Sequence, residues 1–195
     1  MDTQFSPQSA KTIGIIHPGQ MGATIMVGLK ESITEDGPYR LIWASEDRSA
    51  TTHETADKFG MVDVSTVSAV IEEADVVFCI LRGGSMLEYA QMAVDAGFKG
   101  IWVDANGLWG AESETELADI FADSGIDYVE AGLYGWPWPG KEGYTDEHTM
   151  YLSGDKAQDI ADLFVNRYWA IEIHDTSAKE VKRLRNEQEV DIGAQ

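Results

Sequence analysis

Cysteine, positive charge and long apolar stretches are all scarce in this chain of 195 residues. The one cysteine, Cys79, excludes an intramolecular disulfide, and its place in the apolar run 76–80 is typical of a buried core residue. No run of about 18 or more apolar residues is present, so no membrane span is predicted. Lysine and arginine number 14 against 34 acidic residues, a formal net charge of −20. This balance argues against nucleic acid and anionic membranes as partners.

Signals for secretion and for metal binding are lacking as well. Residues 1–7 contain neither a basic segment nor an apolar one, so we expect a cytoplasmic protein. The four histidines do not fall at metal-ligand spacings, so no metal site is predicted. The acidic excess predicts a solvated acidic surface. It does not exclude an anionic cofactor, because backbone dipoles at a site can outweigh the overall field.

A glycine-containing turn near the N-terminus is the most informative feature that is present. An apolar run at 13–16 predicts a buried strand, and His17-Pro18 leads into Gly19 and Gly22 at the start of a helical pattern. In the fingerprint G-x-G-x-x-G the second glycine lets the backbone approach a pyrophosphate and the third lets helix and strand pack closely. His17 holds the first glycine position, so an ordinary strand-to-helix turn is the alternative interpretation.

Strands alternate with helices along the rest of the chain. Apolar runs predict eight strands at 13–16, 40–45, 61–64, 75–81, 100–104, 127–131, 149–153 and 168–173. Helical patterns predict seven helices at 21–33, 49–59, 66–74, 85–96, 111–124, 155–166 and 175–190. A loop rich in Gly, Pro and Trp is predicted from 132 to about 147.

This alternation predicts right-handed βαβ units, and hence an α/β fold with a doubly wound, mainly parallel sheet of the Rossmann type. We predict a flexible tail at 1–11, one nucleotide-binding domain at 12–175, and a polar C-terminal helix and tail at 176–195. Ligands bind such sheets at the carboxyl ends of the strands. The segments just after the strands are therefore the candidate site.

Four segments in this order carry a family resemblance: Ile16–Gly22, Trp43–Ser49, Val103–Asn106 and Tyr151–Gly154. The chain resembles the NAD(P)-binding domain of the β-hydroxyacid dehydrogenase superfamily. That superfamily includes 6-phosphogluconate dehydrogenase, 3-hydroxyisobutyrate dehydrogenase and imine reductases. The likeness covers roughly residues 12–175, and it implies a Rossmann-type fold that binds a nicotinamide dinucleotide.

The resemblance also implies roles for particular residues in cofactor binding. The glycine-containing turn would cradle the pyrophosphate, with His17, Pro18, Gly19, Gln20, Met21 and Gly22. Ser45, Arg48 and Ser49 would meet the adenosine ribose, and Leu81 and Arg82 would line the nicotinamide side.

The choice between the two nicotinamide dinucleotides depends on the segment after the second strand. A guanidinium at Arg48 suits the 2′-phosphate of NADP(H), which we favour over NAD(H). Glu46 is the competing signal, because an acidic residue there would accept a hydrogen bond from the free 2′-hydroxyl of NAD. A solvated residue at a helix N-terminus is the alternative for Arg48.

Candidate catalytic residues come from the resemblance too. Asn106 matches a polar substrate contact, with a strand end closed by an Asx turn as the alternative. Relatives use a lysine on the helix after the nucleotide-binding domain as proton donor or acceptor. Lys182 is the nearest candidate and Lys179 the second, with an ordinary charged helix face as the alternative. Asp104, Tyr134 and His17 are the other acid or base candidates.

Two departures from the family qualify the prediction. Where relatives have a Ser-Gly-Gly substrate loop, this chain has Tyr134–Pro139 with two tryptophans. The tryptophans predict a stiff apolar wall over the nicotinamide, a docking surface or a plug at the sheet edge. Relatives also continue through a long interdomain helix into an all-helical domain, and residues 175–190 of this chain resemble the start of that helix.

We therefore expect an NADP(H)-dependent oxidoreductase that transfers hydride to or from a small hydroxy acid, carbonyl or imine. A homodimer or a partner chain would supply the helical part. The alternative is a non-catalytic NAD(P)-binding module or truncated relative. A compact single-domain reductase, similar in size to the archaeal enzymes that pass hydride between coenzyme F420 and NADP, is a third possibility.

Overall fold

The computed structural model describes residues 11–32, 39–81, 85–107, 111–139, 148–164 and 168–193. The strands are β1 (Lys11–Ile15), β2 (Tyr39–Trp43), β3 (Val62–Asp63), β4 (Val76–Cys79), β5 (Ile101–Asp104), β6 (Asp127–Tyr134), β7 (His148–Ser153) and β8 (Trp169–Ile173). The helices are α1 (Gln20–Glu31), α2 (Ala50–Lys58), α3 (Val67–Glu73), α4 (Met86–Asp95), α5 (Ala111–Ala122), α6 (Ala157–Ala161) and α7 (Ala178–Gly193).

All eight strands form one sheet in the order β3-β2-β1-β4-β5-β6-β7-β8. Every neighbouring pair is parallel except β6 and β7. The chain leaves β1 toward β2 and returns on the other side to β4, so the strand order reverses between β1 and β4. A crevice forms at the carboxyl ends of strands at such a reversal, and ligands bind there. The predicted doubly wound α/β fold is confirmed.

The core lies on both faces of the sheet. Ile13 and Ile15 pack with residues of α1 on one face, whereas Val77 and Cys79 pack with residues of α3 and α4 on the other. All four residues of β4 are buried. An unbroken apolar run is what a parallel strand covered on both faces requires, as the sequence predicts.

Several element boundaries differ from the prediction. β6 continues to Tyr134, because Gly132 and Leu133 pair with Tyr151 and Met150 of the antiparallel strand β7. The predicted loop from 132 therefore begins three residues too early, and residues 140–147 lie outside the described part. α6 is also shorter than the predicted span 155–166. Of the predicted tail, residues 1–10 lie outside the described part, and Lys11 already belongs to β1.

The last helix, α7, packs directly on the sheet. A Cβ atom at Gly132 would lie 2.5 Å from the carbonyl oxygen of Ala178, so only glycine permits this approach of β6 to α7. The Glu130 carboxylate accepts hydrogen bonds from the Ala178 amide at 3.1 Å and from the Ser177 hydroxyl at 2.9 Å. A carboxylate at a helix N-terminus satisfies amides that have no partner within the helix. α7 is thus fixed to the domain at its first turn. No helix in the described ranges is long and apolar enough to cross a membrane.

Candidate active site

Two adjoining cavities lie at the carboxyl ends of the strands. The first, which we call the glycine-turn groove, has a volume of about 410 Å³ and runs between the turn at 17–22 and helix α2. The second, which we call the α7 cavity, has a volume of about 750 Å³ and lies between the ends of β4, β5 and β6 and helix α7. Both are lined by Met21, Ile80, Leu81 and Pro137, so they form one continuous depression.

The glycine-containing turn presents the start of α1 to the groove. Gly19 is the N-cap, with no side-chain cap and no acidic residue in the first helical turn. The amides at a helix N-terminus that has no side-chain cap are suited to an anion. A Cβ atom at Gly22 would lie 2.6 Å from the carbonyl oxygen of His17, so the turn and the helix pack as closely as glycine allows. The His17-Pro18 turn makes this approach without the first glycine of the fingerprint.

Of the three residues predicted to bind the ribose, the structure places one in the wall of the groove and two beside it. Ser49 lines the groove, and its hydroxyl also caps α2 by accepting the Thr52 amide at 3.3 Å. Ser45 and Arg48 are half-buried in the turn just beside it, where the Arg48 amide donates to the Ser45 carbonyl at 3.2 Å. The Nε atom of Arg48 is buried and has no hydrogen-bond partner among the described residues.

Glu46 is engaged elsewhere. Its Oε1 atom accepts a hydrogen bond of 2.6 Å from the amide of Val67, the first residue of α3. A carboxylate in this position interacts favourably with the helix dipole. Glu46 was the residue that could accept a hydrogen bond from a free ribose hydroxyl. One of its two carboxylate oxygens is therefore already hydrogen-bonded.

Asn106 connects the ends of β4 and β5 within the wall of the α7 cavity. Its side-chain oxygen accepts from the Leu81 amide at 2.6 Å, and its side-chain nitrogen donates to Asp104 Oδ1 at 2.6 Å and to the Cys79 carbonyl at 3.2 Å. The backbone amide of Asn106 also donates to Asp104 Oδ1 at 3.1 Å, and this hydrogen bond closes an Asx turn. The observed hydrogen bonds match the alternative interpretation of this residue. Arg82, predicted beside Leu81, lies outside the described residues.

The two candidate lysines of α7 occupy different environments. Lys179 is buried and forms an ion pair with Asp104, with Nζ 2.5 Å from Oδ2. Lys182, one helical turn later, lines the α7 cavity. Burial, and then the charge of Lys179, lower the pKa of Lys182 from its ordinary value. A lysine with a lowered pKa at a cavity wall is suited to proton transfer.

Two further residues of α7 that were not predicted also line the cavity, Arg185 and Asn186. They follow Lys182 by three and four positions, so all three share one face of the helix. This spacing is visible in the sequence and could have identified both residues.

The two tryptophans of the loop after β6 have different roles. Trp138 is half-buried against the core, where it packs edge-on to Phe59, and its amide donates to Thr24 Oγ1 at 2.8 Å. Trp136 is 41% exposed and lines the α7 cavity. Its carbonyl oxygen lies 2.8 Å from Nε2 of the buried residue His148. Trp138 therefore packs against the core of the domain, whereas Trp136 forms part of the wall of the α7 cavity.

Comparison with solved structures supports the same fold. A conserved protein of unknown function, reported to be structurally similar to 3-hydroxyacid dehydrogenases, aligns with a TM-score of 0.69 at 22% identity over 89% of this chain and 62% of its own. An imine reductase from Streptomyces aurantiacus has a TM-score of 0.66 at 15% identity over 90% of this chain and 60% of its own. The imine reductase from Myxococcus stipitatus in complex with NADP⁺ has a TM-score of 0.64 at 15% identity, covering 94% and 63% of the two chains.

These likenesses confirm the Rossmann-type α/β fold that the resemblance implied. The chain spans about three fifths of the length of each of these three structures. No model of a known protein family matches it. Among curated proteins, imidazole glycerol phosphate synthase subunit HisF of Photobacterium profundum is 26% identical over 122 residues, which is 62% of this chain and 45% of that protein. A match of this extent does not establish a common family.

Proposed function

We propose that the chain is the nucleotide-binding part of an NADP(H)-dependent oxidoreductase that acts on a small hydroxy acid, carbonyl or imine. The observation that carries the proposal is the glycine-bordered N-terminus of α1, which has no side-chain cap and opens onto the glycine-turn groove. The groove continues into the α7 cavity, so a dinucleotide could extend from one to the other. NADP(H) bound in this way would supply or accept the hydride.

The fit of a pyrophosphate is supported by the local geometry. Gly22 packs against the His17 carbonyl, and the His17 imidazole lies beside Gly19, with Nε2 3.0 Å from where a Cβ atom would stand. The amides of the first turn of α1, which has no side-chain cap, would face a pyrophosphate bound in the groove. Ser49 extends the same wall toward the start of α2. These features belong to this chain and do not depend on its resemblance to other proteins.

Preference for NADP(H) over NAD(H) is part of the proposal. Glu46 directs one oxygen at α3, which weakens the argument for a ribose 2′-hydroxyl contact. Arg48 has a buried Nε donor that lacks a partner among the described residues, and a 2′-phosphate would provide one. The imine reductase of Myxococcus stipitatus is itself in complex with NADP⁺.

Within the proposed reaction, Lys182 acts as the proton donor or acceptor at the cavity wall. Because the pKa of Lys182 is lowered, its ammonium group is a stronger acid than the ammonium group of an exposed lysine. Asn106 holds the Leu81 amide in place in the wall of the α7 cavity, where the nicotinamide would lie. A homodimer or a partner chain that completes the site, and a cytoplasmic location, are also part of the proposal.

Calorimetric titration with NADPH and NADH tests the cofactor assignment. We expect micromolar binding of NADPH and weaker binding of NADH. Absence of binding for both would refute the nucleotide site. A panel of hydroxy acids, carbonyls and imines, followed at the absorbance of NADPH, then tests turnover. Tight NADPH binding without any turnover would favour the non-catalytic module.

A further inference from the structure

A lysine and an aspartate are buried together between α7 and the sheet. Nζ of Lys179 lies 2.5 Å from Oδ2 of Asp104, and the two side chains are 1% and 0% exposed. In the other ion pairs found among the described residues, every side chain is at least 30% exposed. Burying two charges costs free energy, and apolar side chains of similar volume often stabilise such a contact as well or better. The charges of this pair therefore point to a role other than stability.

The carboxylate of Asp104 is held in one orientation. Its Oδ1 atom accepts hydrogen bonds from the backbone amide of Asn106 at 3.1 Å and from the side-chain nitrogen of the same residue at 2.6 Å. Its Oδ2 atom accepts from Lys179 and, at 3.5 Å, from the Tyr128 hydroxyl. A carboxylate has about four acceptor positions, so these contacts occupy it. The ammonium of Lys179 is thus fixed in place by a partner that is itself fixed.

Lys182 is the neighbour of this fixed charge on α7. It follows Lys179 by three positions, and side chains at this spacing lie next to each other on a helix. Lys179 is buried against the end of β5, whereas Lys182 lines the α7 cavity. The stem of Lys182 is located by β6 as well, because a Cβ atom at Gly132 would lie 3.1 Å from its Cβ atom. Lys182 therefore reaches the cavity from a defined place beside a buried positive charge.

The neighbouring charge changes the proton equilibrium of Lys182. Burial, and then the charge of Lys179, lower the pKa of Lys182, because a like charge nearby disfavours the ammonium form. Arg183 is even closer in sequence, but its exposed guanidinium is balanced by Glu180 and Glu187. Exposed and paired charges act weakly on their neighbours. Lys179 is the cation of α7 that is placed to act on Lys182.

We propose that Lys179 is a positioning residue for Lys182: paired with Asp104, it holds a positive charge one helical turn before Lys182, so that Lys182 gives up its proton more readily. The inference rests on the proposed function in taking Lys182 as the proton donor or acceptor. During reduction the proton passes from Nζ of Lys182 to the substrate oxygen or nitrogen, while the hydride comes from NADPH. Lys179 keeps its own proton, and it is not part of the described lining of the cavity.

Labelling with acetic anhydride tests the proposal in the full chain. The reagent acetylates only the neutral amine, so the pH dependence of labelling, measured by mass spectrometry, reports the protonation of each lysine. Labelling at each pH is expressed relative to the alkaline plateau of the same lysine, which corrects for access. In the wild type we expect Lys182 to reach half of its plateau at a lower pH than the exposed residue Lys30. Equal midpoints would overturn the proposal without any variant.

The double variant Lys179→Met/Asp104→Asn removes the fixed charge and leaves neither partner buried with an unpaired charge. We expect relative labelling of Lys182 at neutral pH to fall by about tenfold, because the neutral fraction falls tenfold for each unit by which the pKa rises. A merely structural role for the pair would not move this midpoint in a folded variant. An unchanged midpoint would overturn the proposal.

Arg183→Met is the matched control. It also removes one positive charge from α7, at the position next to Lys182, but it breaks only exposed ion pairs. The labelling midpoint of Lys182 should stay where it is in the wild type. An equal upward movement of the midpoint in Arg183→Met and in the double variant would reduce the effect to the overall charge of the helix and overturn the assignment of Lys179.

The labelling requires neither cofactor nor substrate, so it separates this inference from the proposed function. A midpoint that depends on Lys179, in a chain that binds no NADPH, would support the effect of Lys179 on Lys182 and refute the oxidoreductase. NADPH binding together with a midpoint that is indifferent to Lys179 would support the cofactor site and overturn the positioning role.

Discussion

The ammonium nitrogen of Lys179 lies 2.5 Å from Oδ2 of Asp104, and both side chains are almost completely buried. The other oxygen of Asp104 accepts hydrogen bonds from Asn106, whose own side-chain oxygen accepts the Leu81 amide. One buried polar network thus joins α7 to the ends of β5 and β4. These three elements are walls of the α7 cavity, so its shape depends on the network.

Removing the lysine of this pair should be costly. Lys179→Met leaves Asp104 buried without its counter-charge, and we expect the free energy of unfolding to fall by about 3–5 kcal/mol. Urea denaturation of the variant and the wild type measures this difference.

Two control variants show whether the loss comes from the unpaired charge. Asp104→Asn in the Lys179→Met background removes that charge and keeps an acceptor for Asn106, so it should recover much of the lost stability. Arg183→Met breaks only exposed ion pairs and should change the free energy of unfolding far less than Lys179→Met does. Similar losses for Arg183→Met and Lys179→Met would contradict the special role of the buried pair.

Gly19→Asp should abolish binding of NADPH. The new Cβ atom would lie 3.0 Å from Nε2 of His17, and its carboxylate would stand at the start of α1, where the pyrophosphate is proposed to bind. Calorimetric titration of the variant measures the loss.

Gly125→Asp is the matched control for that change. It adds the same charge in the turn after α5, where the nearest atom to a Cβ is Lys99 Nζ at 3.5 Å. The glycine has a φ of +75°, a conformation that aspartate tolerates better than most residues. NADPH affinity should be unchanged. Unaltered affinity in Gly19→Asp instead would refute the nucleotide assignment.

The fold could be predicted because its signals are local. The apolar run of β4 and the glycines at the start of α1 lie within a few residues of the features that they specify. The end of β6 could not be predicted in this way. Gly132 reads as the start of a loop, but its pairing with Tyr151 in the antiparallel strand keeps it in the sheet.

The site was harder to predict because its contacts join distant parts of the chain. Lys179 and Asp104 are 75 positions apart, and the sequence does not indicate that one pairs with the other. Arg185 meets Tyr151 across 34 positions. The helical spacing of Lys182 and Asn186 was available in the sequence, but it gains meaning only once the cavity beside α7 is known.

Arg48→Ala should weaken NADPH binding far more than NADH binding. The guanidinium is proposed to contact the 2′-phosphate, which only NADPH carries, and a charge-assisted contact of this kind is worth about tenfold or more in affinity. Arg40→Ala is the matched control, because Arg40 lies in β2 and forms an exposed ion pair with Glu73. Equal losses for both nucleotides in Arg48→Ala would remove Arg48 as the specificity residue.

Lys182→Met should be more stable than the wild type at neutral pH, and its advantage should shrink as the pH rises. Burial and the charge of Lys179 lower the pKa of Lys182 in the folded protein. The unfolded chain then holds the proton more tightly, so the charged lysine costs stability at every pH below its folded pKa. That cost is lost as the pH rises from the folded pKa to the unfolded value of about 10.4.

Urea denaturation of both proteins between neutral and alkaline pH measures the difference. A difference that does not change with pH would mean that Lys182 titrates alike in both states. A loss of stability that occurs only while Lys182 is charged means that burial disfavours its ammonium form. The same burial makes the ammonium a stronger acid, as a proton donor requires.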